Sequence, residues 1–270
     1  MPDRALPLAD CPDALLATID GVLTDIDDTL TRDGAIEPEA LAALARLRAA
    51  GVPVIAITGR PMGWSVPFAR DWPIDAIVAE NGAVALFMHE GTLHTEYAQD
   101  EAVRTHNARR LAEVAQRVQR EVTGATLARD SAGRVTDIAV DHSEFTQLPA
   151  AQIDAVVAIM RAEGMNATVS SIHVNGWFGE HDKRSGARWI VQRLLGRDVE
   201  AERERWLYVG DSTNDQAMFA HYPRSVGVAN LMHFAAQLHV WPAWLTQAER
   251  GRGFAELANR LLRARESHPR

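Results

Sequence analysis

The sequence predicts an α/β fold in which a Rossmann-like parallel sheet, flanked by helices, carries an inserted α/β unit. Three observations lead to this prediction. Short apolar segments rich in β-branched residues alternate with longer segments whose apolar residues recur at helical spacing. Strands separated by helices of such length pair in parallel through right-handed crossovers. Finally, 270 residues, of which 47% are hydrophobic, suffice for a core domain that contains an insertion.

The first part of the alternating pattern covers residues 1–86 of the predicted core domain. Strands are expected at Ile19–Ile26, Val52–Ile57 and Ala76–Ala79, and a helix at Glu37–Ala50. The helix is supported by Pro38 near its start and by Gly51 just after its end. The second strand is a short run of mainly β-branched residues, which is typical of a buried parallel strand. Asn81-Gly82, after the third strand, is a turn signal.

The middle of the chain, residues 87–175, is predicted to form the inserted α/β cap domain. It contains an expected helix at Ala102–Val122, a strand at Arg134–Val140, a helix at Gln152–Glu163 and a strand at Ala167–Val174. The core domain then resumes over residues 176–270. Its expected elements are a helix at Ser185–Leu195, strands at Trp206–Val209 and Ser225–Val228, and a closing helix at Gly253–Arg265.

Composition narrows the functional classes. A formal net charge of -8 disfavours a nucleic-acid binder, which needs clustered Lys and Arg to replace phosphate counterions. The single Cys11 excludes an intrachain disulfide and any site built from several cysteines. No secretory signal or bilayer-spanning stretch is evident, so we expect a cytoplasmic protein without a membrane partner. We expect a monomer or a homodimer.

An acidic cluster stands at the end of the first strand. Asp25, Asp27 and Asp28 lie within four residues, and like charges at this range raise one another's pKa and weaken the fold. A hard divalent cation such as Mg²⁺ is the usual compensation, because it prefers carboxylate and carbonyl oxygens. The alternative is an exposed acidic loop, and the cluster by itself does not decide between the two.

Three further polar motifs follow expected strands or the return from the insert. They are Thr58-Gly59-Arg60, Lys183 and the segment Gly210-Asp211-Ser212-Thr213-Asn214-Asp215. Each falls where a parallel strand delivers side chains to the carboxyl edge of the sheet, the place where α/β folds bind ligands. Taken singly, Thr58 is better explained as a cap and Lys183 as a surface lysine. The ordered set is what indicates one site.

These four motifs, in this order, resemble those of the haloacid dehalogenase-like phosphohydrolases. The insertion between Thr58 and Lys183 has the position of the large cap in the branch that includes the Cof-like, sucrose-, trehalose- and mannosylglycerate-phosphate phosphatases. Asn81-Gly82 and the ending around Asn230 are also similar to that branch. Asp28 departs from the pattern, since many relatives carry Gly there, and the lead before Asp25 is longer than common. Neither departure touches a required role.

The resemblance implies a catalytic set of four residues. Asp25 would be the nucleophile that forms an acyl phosphate, which divides the hydrolysis into two easier steps. Asp27 would be the general acid and then the general base. Thr58 would donate a hydrogen bond to a phosphoryl oxygen, and Lys183 would neutralise charge on Asp25 and on the transferring group.

The resemblance also implies a Mg²⁺ site. The Asp25 carboxylate, the Asp27 backbone carbonyl and the Asp211 carboxylate would hold the ion, and water would complete the octahedron. Asp215 belongs to the same site, where it would orient a metal-bound water or Lys183.

Substrate binding is expected to involve the insert. Period two places His173, Asn175 and Trp177 on one face of a strand, and such a polar and aromatic face suits a sugar. The alternative is a half-exposed strand whose Trp177 packs against the linker. Three core residues complete the candidate set: Arg60, Asn81 and Asn214. For Asn214, capping of the following helix is an equally good explanation.

We therefore predict a Mg²⁺-dependent phosphatase acting through an aspartyl phosphate on a small phosphorylated metabolite, with a sugar phosphate favoured. A phosphosugar mutase is the nearest alternative, because it shares Asp25 and Asp27 but returns the phosphoryl group to the sugar. A signalling receiver domain is the best alternative from another class. Receivers, however, lack the Gly210–Asp215 type of segment and are about half as long. A Rossmann nucleotide binder or P-loop enzyme is disfavoured, since neither glycine-rich motif is present.

Overall fold

The computed structural model describes residues 4–268 and contains fifteen strands and eight α-helices in that range. The strands are β1 (Leu6–Pro7), β2 (Gly21–Thr24), β3 (Thr31–Arg32), β4 (Ala35–Ile36), β5 (Val54–Ile57), β6 (Ala76–Ala79), β7 (Val84–His89), β8 (Thr92–Tyr97), β9 (Thr126–Leu127), β10 (Asp137–Asp141), β11 (Asn166–Val169), β12 (His173–Trp177), β13 (Trp206–Gly210), β14 (Ser225–Gly227) and β15 (Trp244–Leu245). The helices are α1 (Asp13–Leu16), α2 (Pro38–Ala49), α3 (Met62–Asp71), α4 (Glu101–Glu121), α5 (Ala150–Ala162), α6 (Lys183–Leu195), α7 (Gln216–His221) and α8 (Arg250–Ser267).

A nine-stranded sheet forms the centre of the molecule. Its strand order is β1-β15-β14-β13-β2-β5-β6-β7-β8, and every pair from β1 to β6 is parallel. Two separate apolar clusters cover its two faces, one against α2 and α8 and one against α6. The α/β class and the parallel sheet flanked by helices are therefore confirmed.

An antiparallel hairpin extends this sheet further along the chain than we expected. β7 pairs antiparallel with β6, and β8 with β7, around a turn at Glu90-Gly91 where both residues have positive φ. Residues 87–97 thus lie in the large sheet, although we expected the cap domain to begin at residue 87. The sequence pattern was misread because the hairpin's exposed outer strand carries few apolar residues.

The remaining middle part, α4 to β12, forms a second α/β unit over residues 101–177, which we call the insert. Its four-stranded sheet has the order β11-β12-β10-β9 and is antiparallel throughout. α4 and α5 pack on this sheet over their own apolar cluster. The prediction of a single strand at Ala167–Val174 is wrong, because the chain turns at Ser170 between β11 and β12. The Ser170 Oγ accepts hydrogen bonds from the amides of Ile172 and His173 in this turn.

Candidate active site

Three strands of the large sheet deliver the polar motifs to one edge. β2 ends at Thr24, just before Asp25, and its neighbours β5 and β13 end just before Thr58 and Asp211. Because the three strands are parallel, their carboxyl ends lie side by side. α6 adds Lys183 at its first residue, where Asp182 caps the helix through the amide of Ser185.

Lys183 connects the first and last motifs directly. Its Nζ donates to Asp25 Oδ1 at 2.7 Å and to Asp215 Oδ1 at 2.8 Å. All three side chains are buried. The structure therefore brings together groups that are 158 and 32 residues apart in sequence from this lysine.

The site holds more carboxylates than Lys183 can neutralise. Burial raises the pKa of Asp25; Lys183 opposes that rise, and Asp215 and Asp27 add to it. Burial also raises the pKa of Asp211 well above its usual range, and the charges of Asp25 and Asp215 act in the same direction. A further positive charge is thus required before these acids can ionise together.

The oxygen atoms around Asp211 fit a hard divalent cation. One oxygen each of Asp25, Asp211 and Asp215 lies within 4.8 Å of the others. Asp211 Oδ1 is buried and has no hydrogen-bond partner among the described residues, while its Oδ2 accepts from Asn230 Nδ2 at 3.3 Å. An unpartnered buried carboxylate oxygen is costly unless a cation or water binds it, and Mg²⁺ prefers such ligands.

Asp215 differs from Asp211 in having all its hydrogen-bonding capacity in use. Oδ1 accepts from Lys183 and from the Tyr208 hydroxyl, and Oδ2 accepts from the amides of Asp211 and Ser212. This arrangement suits a residue that orients Lys183 and the loop rather than one that binds a metal directly.

Asp27 points toward Arg60 and Thr58. Arg60 Nε donates to Asp27 Oδ1 at 2.9 Å, and the Thr58 hydroxyl lies 3.4 Å from Asp27 Oδ2. The Thr58 hydroxyl also accepts from the Arg60 amide at 2.9 Å. The Asp27 carboxylate is therefore held by Arg60, and it is not one of the three carboxylates whose oxygens lie within 4.8 Å of one another.

The insert contributes acidic partners to the same guanidinium. Arg60 is buried, and its two terminal nitrogens donate to Asp130 at 3.2 Å and to Glu144 at 2.8 Å. Glu144 also binds His173 Nε2 at 2.8 Å. Burial alone would raise the pKa of Glu144, but its hydrogen bonds to His173 and Arg60 hold that pKa at about 2.

The other substrate-binding candidates fall into two groups. His173, Asn175 and Asn214 line a small inner chamber together with Asp25, Asp27 and Asp211. Asn175 Nδ2 donates to the Gly59 carbonyl at 3.1 Å, whereas Asn214 Oδ1 accepts from the Ser212 hydroxyl at 2.8 Å.

Trp177 and Asn81 do not line this inner chamber. Both line a larger cleft of about 750 Å³ between the insert and α6. Trp177 is buried, stacks on His181 and donates its Nε1 hydrogen to the His181 carbonyl at 2.8 Å. The Trp177 ring thus packs against the linker, as in the alternative, but its strand is buried throughout rather than half-exposed.

The structure adds residues that were not among the predicted site residues. Glu144 and Asp130 hold Arg60 from the insert, Tyr208 donates to Asp215, and Asn230 reaches Asp211. Asn230 could have been predicted, since it belongs to the C-terminal segment that resembles the phosphatase branch. Asp130 and Glu144 could not, because no sequence spacing connects them to the first motif.

Comparisons with known proteins agree with this geometry. Residues 22–122 match the family model for haloacid dehalogenase-like hydrolases. A search of the curated proteins by sequence found no match. Separately, no helix within residues 4–268 combines the length and apolar character needed to cross a bilayer.

Three solved structures illustrate the similarity in fold. A HAD/COF-like hydrolase from Plasmodium vivax is 16% identical, with 93% of this chain and 98% of that chain covered and a TM-score of 0.66. The sucrose-phosphatase from Synechocystis sp. PCC6803, in complex with sucrose and phosphate, is 18% identical, with coverages of 89% and 97% and a TM-score of 0.62. The C-terminal domain of the C. albicans trehalose-6-phosphate phosphatase is 14% identical, with coverages of 95% and 98% and a TM-score of 0.66.

Proposed function

We propose that this chain, whose residues 22–122 match the haloacid dehalogenase-like hydrolase family model, is a Mg²⁺-dependent phosphatase of small phosphorylated metabolites. One observation carries the proposal. Lys183 bridges Asp25 and Asp215 at 2.7 and 2.8 Å, beside the unpartnered oxygen of Asp211. A buried carboxylate next to an ammonium and an acidic metal site is what phosphoryl transfer to a protein oxygen requires.

In the first step, an Asp25 oxygen attacks phosphorus and the bond from phosphorus to the leaving oxygen breaks. Asp27 gives its proton to that oxygen, so the product alcohol leaves and an aspartyl phosphate remains. Lys183 offsets the charge of Asp25 and of the transferring group through its contact with Asp25. Thr58, buried beside Asp27, would donate a hydrogen bond to a phosphoryl oxygen.

In the second step, Asp27 takes a proton from water and the water oxygen attacks phosphorus. The bond from phosphorus to Asp25 breaks, inorganic phosphate leaves, and both carboxylates return to their starting states. Bound Mg²⁺, held by the Asp25 and Asp211 carboxylates and the Asp27 carbonyl, would supply positive charge against that of the phosphoryl oxygens.

The insert supports a small polar leaving group. His173 and Asn175 bring hydrogen-bonding side chains to the inner chamber. Two similar structures are by name a sucrose-phosphatase and the C-terminal domain of a trehalose-6-phosphate phosphatase, which favours a sugar phosphate. The cytoplasmic location expected from the sequence stays a prediction.

The test is phosphate release from a panel of sugar phosphates and p-nitrophenyl phosphate, with and without Mg²⁺. We expect turnover that requires Mg²⁺ and is abolished in Asp25→Asn. The exposed Asp154→Asn on α5 is the matched control and should retain activity. Borohydride reduction during turnover should convert Asp25 to homoserine, detectable by peptide mass spectrometry.

Two results would contradict the proposal. Substantial phosphate release by Asp25→Asn would remove Asp25 from the nucleophile role. Conversion of a hexose phosphate to an isomer without phosphate release would indicate a mutase instead.

A further inference from the structure

A second cavity opens directly outside the inner chamber. It lies between the β3–β4 hairpin of the core and two insert segments, the residues that follow β10 and the turn between β11 and β12, and has a volume of about 300 Å³. We call it the outer cleft. The inner chamber itself measures about 10 Å³, which is close to the space of a single water. A leaving group must therefore extend beyond the inner chamber.

Asp27 decides into which cavity the leaving group extends. It lines both the inner chamber and the outer cleft. The larger cleft near Trp177 includes Lys183 but not Asp27 among its lining residues. Because the acid that protonates the leaving oxygen must be within hydrogen-bond reach of it, the leaving group belongs in the outer cleft.

The described residues that line the outer cleft carry an excess of negative charge. Asp27 carries the proton that it donates to the leaving oxygen, so the charged carboxylates are Asp28, Asp33 and Glu144, and the guanidinium groups are Arg60 and Arg250. Arg60 is paired with three carboxylates, and Arg250 Nε donates to Asp28 at 2.7 Å. Neither cation is thus available for an anionic substituent without breaking an existing pair.

The insert side of the cleft is rigidly built. The buried Asp141 accepts from the amides of Glu144 and Phe145 at 2.9 and 3.0 Å. These bonds fix the loop that carries Glu144 toward Arg60 and leaves the Phe145 side chain 55% exposed at the cleft. Arg129 stacks on the Phe145 ring at 3.8 Å but is not among the lining residues.

We propose that the outer cleft binds the leaving group and selects monophosphates whose leaving group is a neutral or cationic polyol over those that carry a second anionic group. This inference rests on the proposed phosphatase function and narrows its substrate class. Hydroxyl groups would donate to the carboxylates of the cleft, whereas a carboxylate or second phosphate would be repelled by them.

The test uses substrate pairs that differ in one charge. The first pair is sorbitol 6-phosphate and 6-phosphogluconate, and the second is glycerol 3-phosphate and 3-phosphoglycerate. In each pair the first compound has a hydroxymethyl group where the second has a carboxylate. At low salt we expect kcat/KM to favour the neutral member by about threefold. That is the ratio for one charge roughly 6 Å from one net negative charge at the dielectric of water. Added salt should reduce this ratio.

Two matched variants locate the effect. Asp33→Asn removes one charge from the outer cleft and keeps a residue type that tolerates the positive φ found there. It should lower the ratio by about threefold. Glu180→Gln removes an exposed charge from the larger cleft and should leave the ratio unchanged.

The outcomes separate this inference from the proposed function. Equal kcat/KM for both members of each pair, or a ratio that responds to Glu180→Gln and not to Asp33→Asn, overturns the inference while the phosphatase stands. Turnover of p-nitrophenyl phosphate alone also overturns it. No phosphate release from any substrate overturns the proposed function as well.

Discussion

At the scale of single residues, two carboxylates of the site differ in the hydrogen bonds that they already accept, and this difference indicates different roles. Asp211 and Asp215 stand four residues apart in one loop, yet Asp215 accepts four hydrogen bonds and Asp211 Oδ1 accepts none. The Asp215 carboxylate is therefore fixed by its donors. The Asp211 carboxylate is destabilised by burial and by its acidic neighbours until a cation compensates it.

Replacing Asp211 with Asn should have opposite effects with and without metal. Without Mg²⁺ we expect a higher melting temperature than in the wild type, because Asn is neutral in the folded and the unfolded state, whereas burial disfavours the ionised form of Asp211. With Mg²⁺ the wild type should gain stability, by about 2.7 kcal/mol at 100-fold excess over its Kd, and the variant should gain little. Calorimetry with and without EDTA measures both effects.

Asp154→Asn, which removes an exposed carboxylate, serves as the control and should respond to Mg²⁺ like the wild type. An equal Mg²⁺ response in Asp211→Asn would show that this carboxylate is not a ligand.

His181, in the linker after the insert, predicts a pH-dependent stability. Burial lowers its pKa to about 4, and the nearby Asp182 opposes this only in part. The folded state thus disfavours the charged ring, so the stability that the neutral ring provides is complete above pH 6.5 and is lost toward pH 4. Between pH 7.5 and 5 this residue should cost roughly 2 kcal/mol of unfolding free energy.

Chemical denaturation at several pH values tests this expectation. His181→Gln should show a shallower loss of unfolding free energy between pH 7.5 and 5 than the wild type. His106→Gln, at an exposed position of α4, should keep the wild-type slope. Identical slopes in all three proteins would contradict the role of His181.

The residues of the site could be predicted from sequence only where they directly follow a strand of the parallel sheet. Asp25, Thr58 and Asp211 follow parallel strands, so strand order alone brings them together. Glu144 was not predictable in this way, because its contact with Arg60 depends on how the insert docks on the core. Trp177 shared a strand face with His173, but its ring turns to the linker instead of the chamber.

At the scale of elements, α6 is positioned by a close backbone approach. An ideal Cβ on Gly186 would lie 2.6 Å from the Gly82 Cα and 2.9 Å from Val78 Cγ1. Only glycine at position 186 lets the helix pack this close to the turn after β6. Since Lys183 stands at the start of the same helix, this packing also sets the height of its ammonium group above the sheet.

Gly186→Ala should therefore destabilise the protein, although alanine is the better helix former by about 1 kcal/mol. Overpacking of this kind costs about 1–3 kcal/mol, so we expect a net loss of roughly 1 kcal/mol and a lower kcat. Denaturant unfolding and phosphatase assays measure the two effects. Gln192→Ala, exposed on the same helix, should change stability by less than about 0.5 kcal/mol. A stabilised Gly186→Ala would refute the close approach.

Elements were predictable where apolar periodicity and turn signals agree. β5, β6 and β13 match their expected bounds within two residues, since buried parallel strands are nearly continuous apolar runs. The β7–β8 hairpin was assigned to the wrong unit, because its outer strand carries few apolar residues that would indicate which sheet it joins. Its place depends on the long-range pairing of β7 with β6.

For the whole molecule, the insert lies closed on the core through polar contacts. The buried Glu80 carboxylate accepts from the amides of Val135 and Thr136, and Arg134 donates to the Gly59 carbonyl at 2.9 Å. The inner chamber beneath has room for about one water. We therefore expect the insert to move away for the phosphoryl group to enter, and then to close and exclude water.

Gly133, in a turn of the insert, tests whether this closed contact is required for catalysis. An ideal Cβ there would lie 3.2 Å from the Gly63 Cα of α3, so the branched side chain of Gly133→Leu should hold the insert away from the core. We expect kcat/KM to fall by about tenfold or more, since Glu144 and His173 would no longer reach the site. The melting temperature should change little, and small-angle scattering should show a larger radius of gyration. Ala132→Leu places the same side chain at the neighbouring exposed position and should behave as the wild type. Wild-type kinetics in Gly133→Leu would mean that catalysis does not depend on this contact.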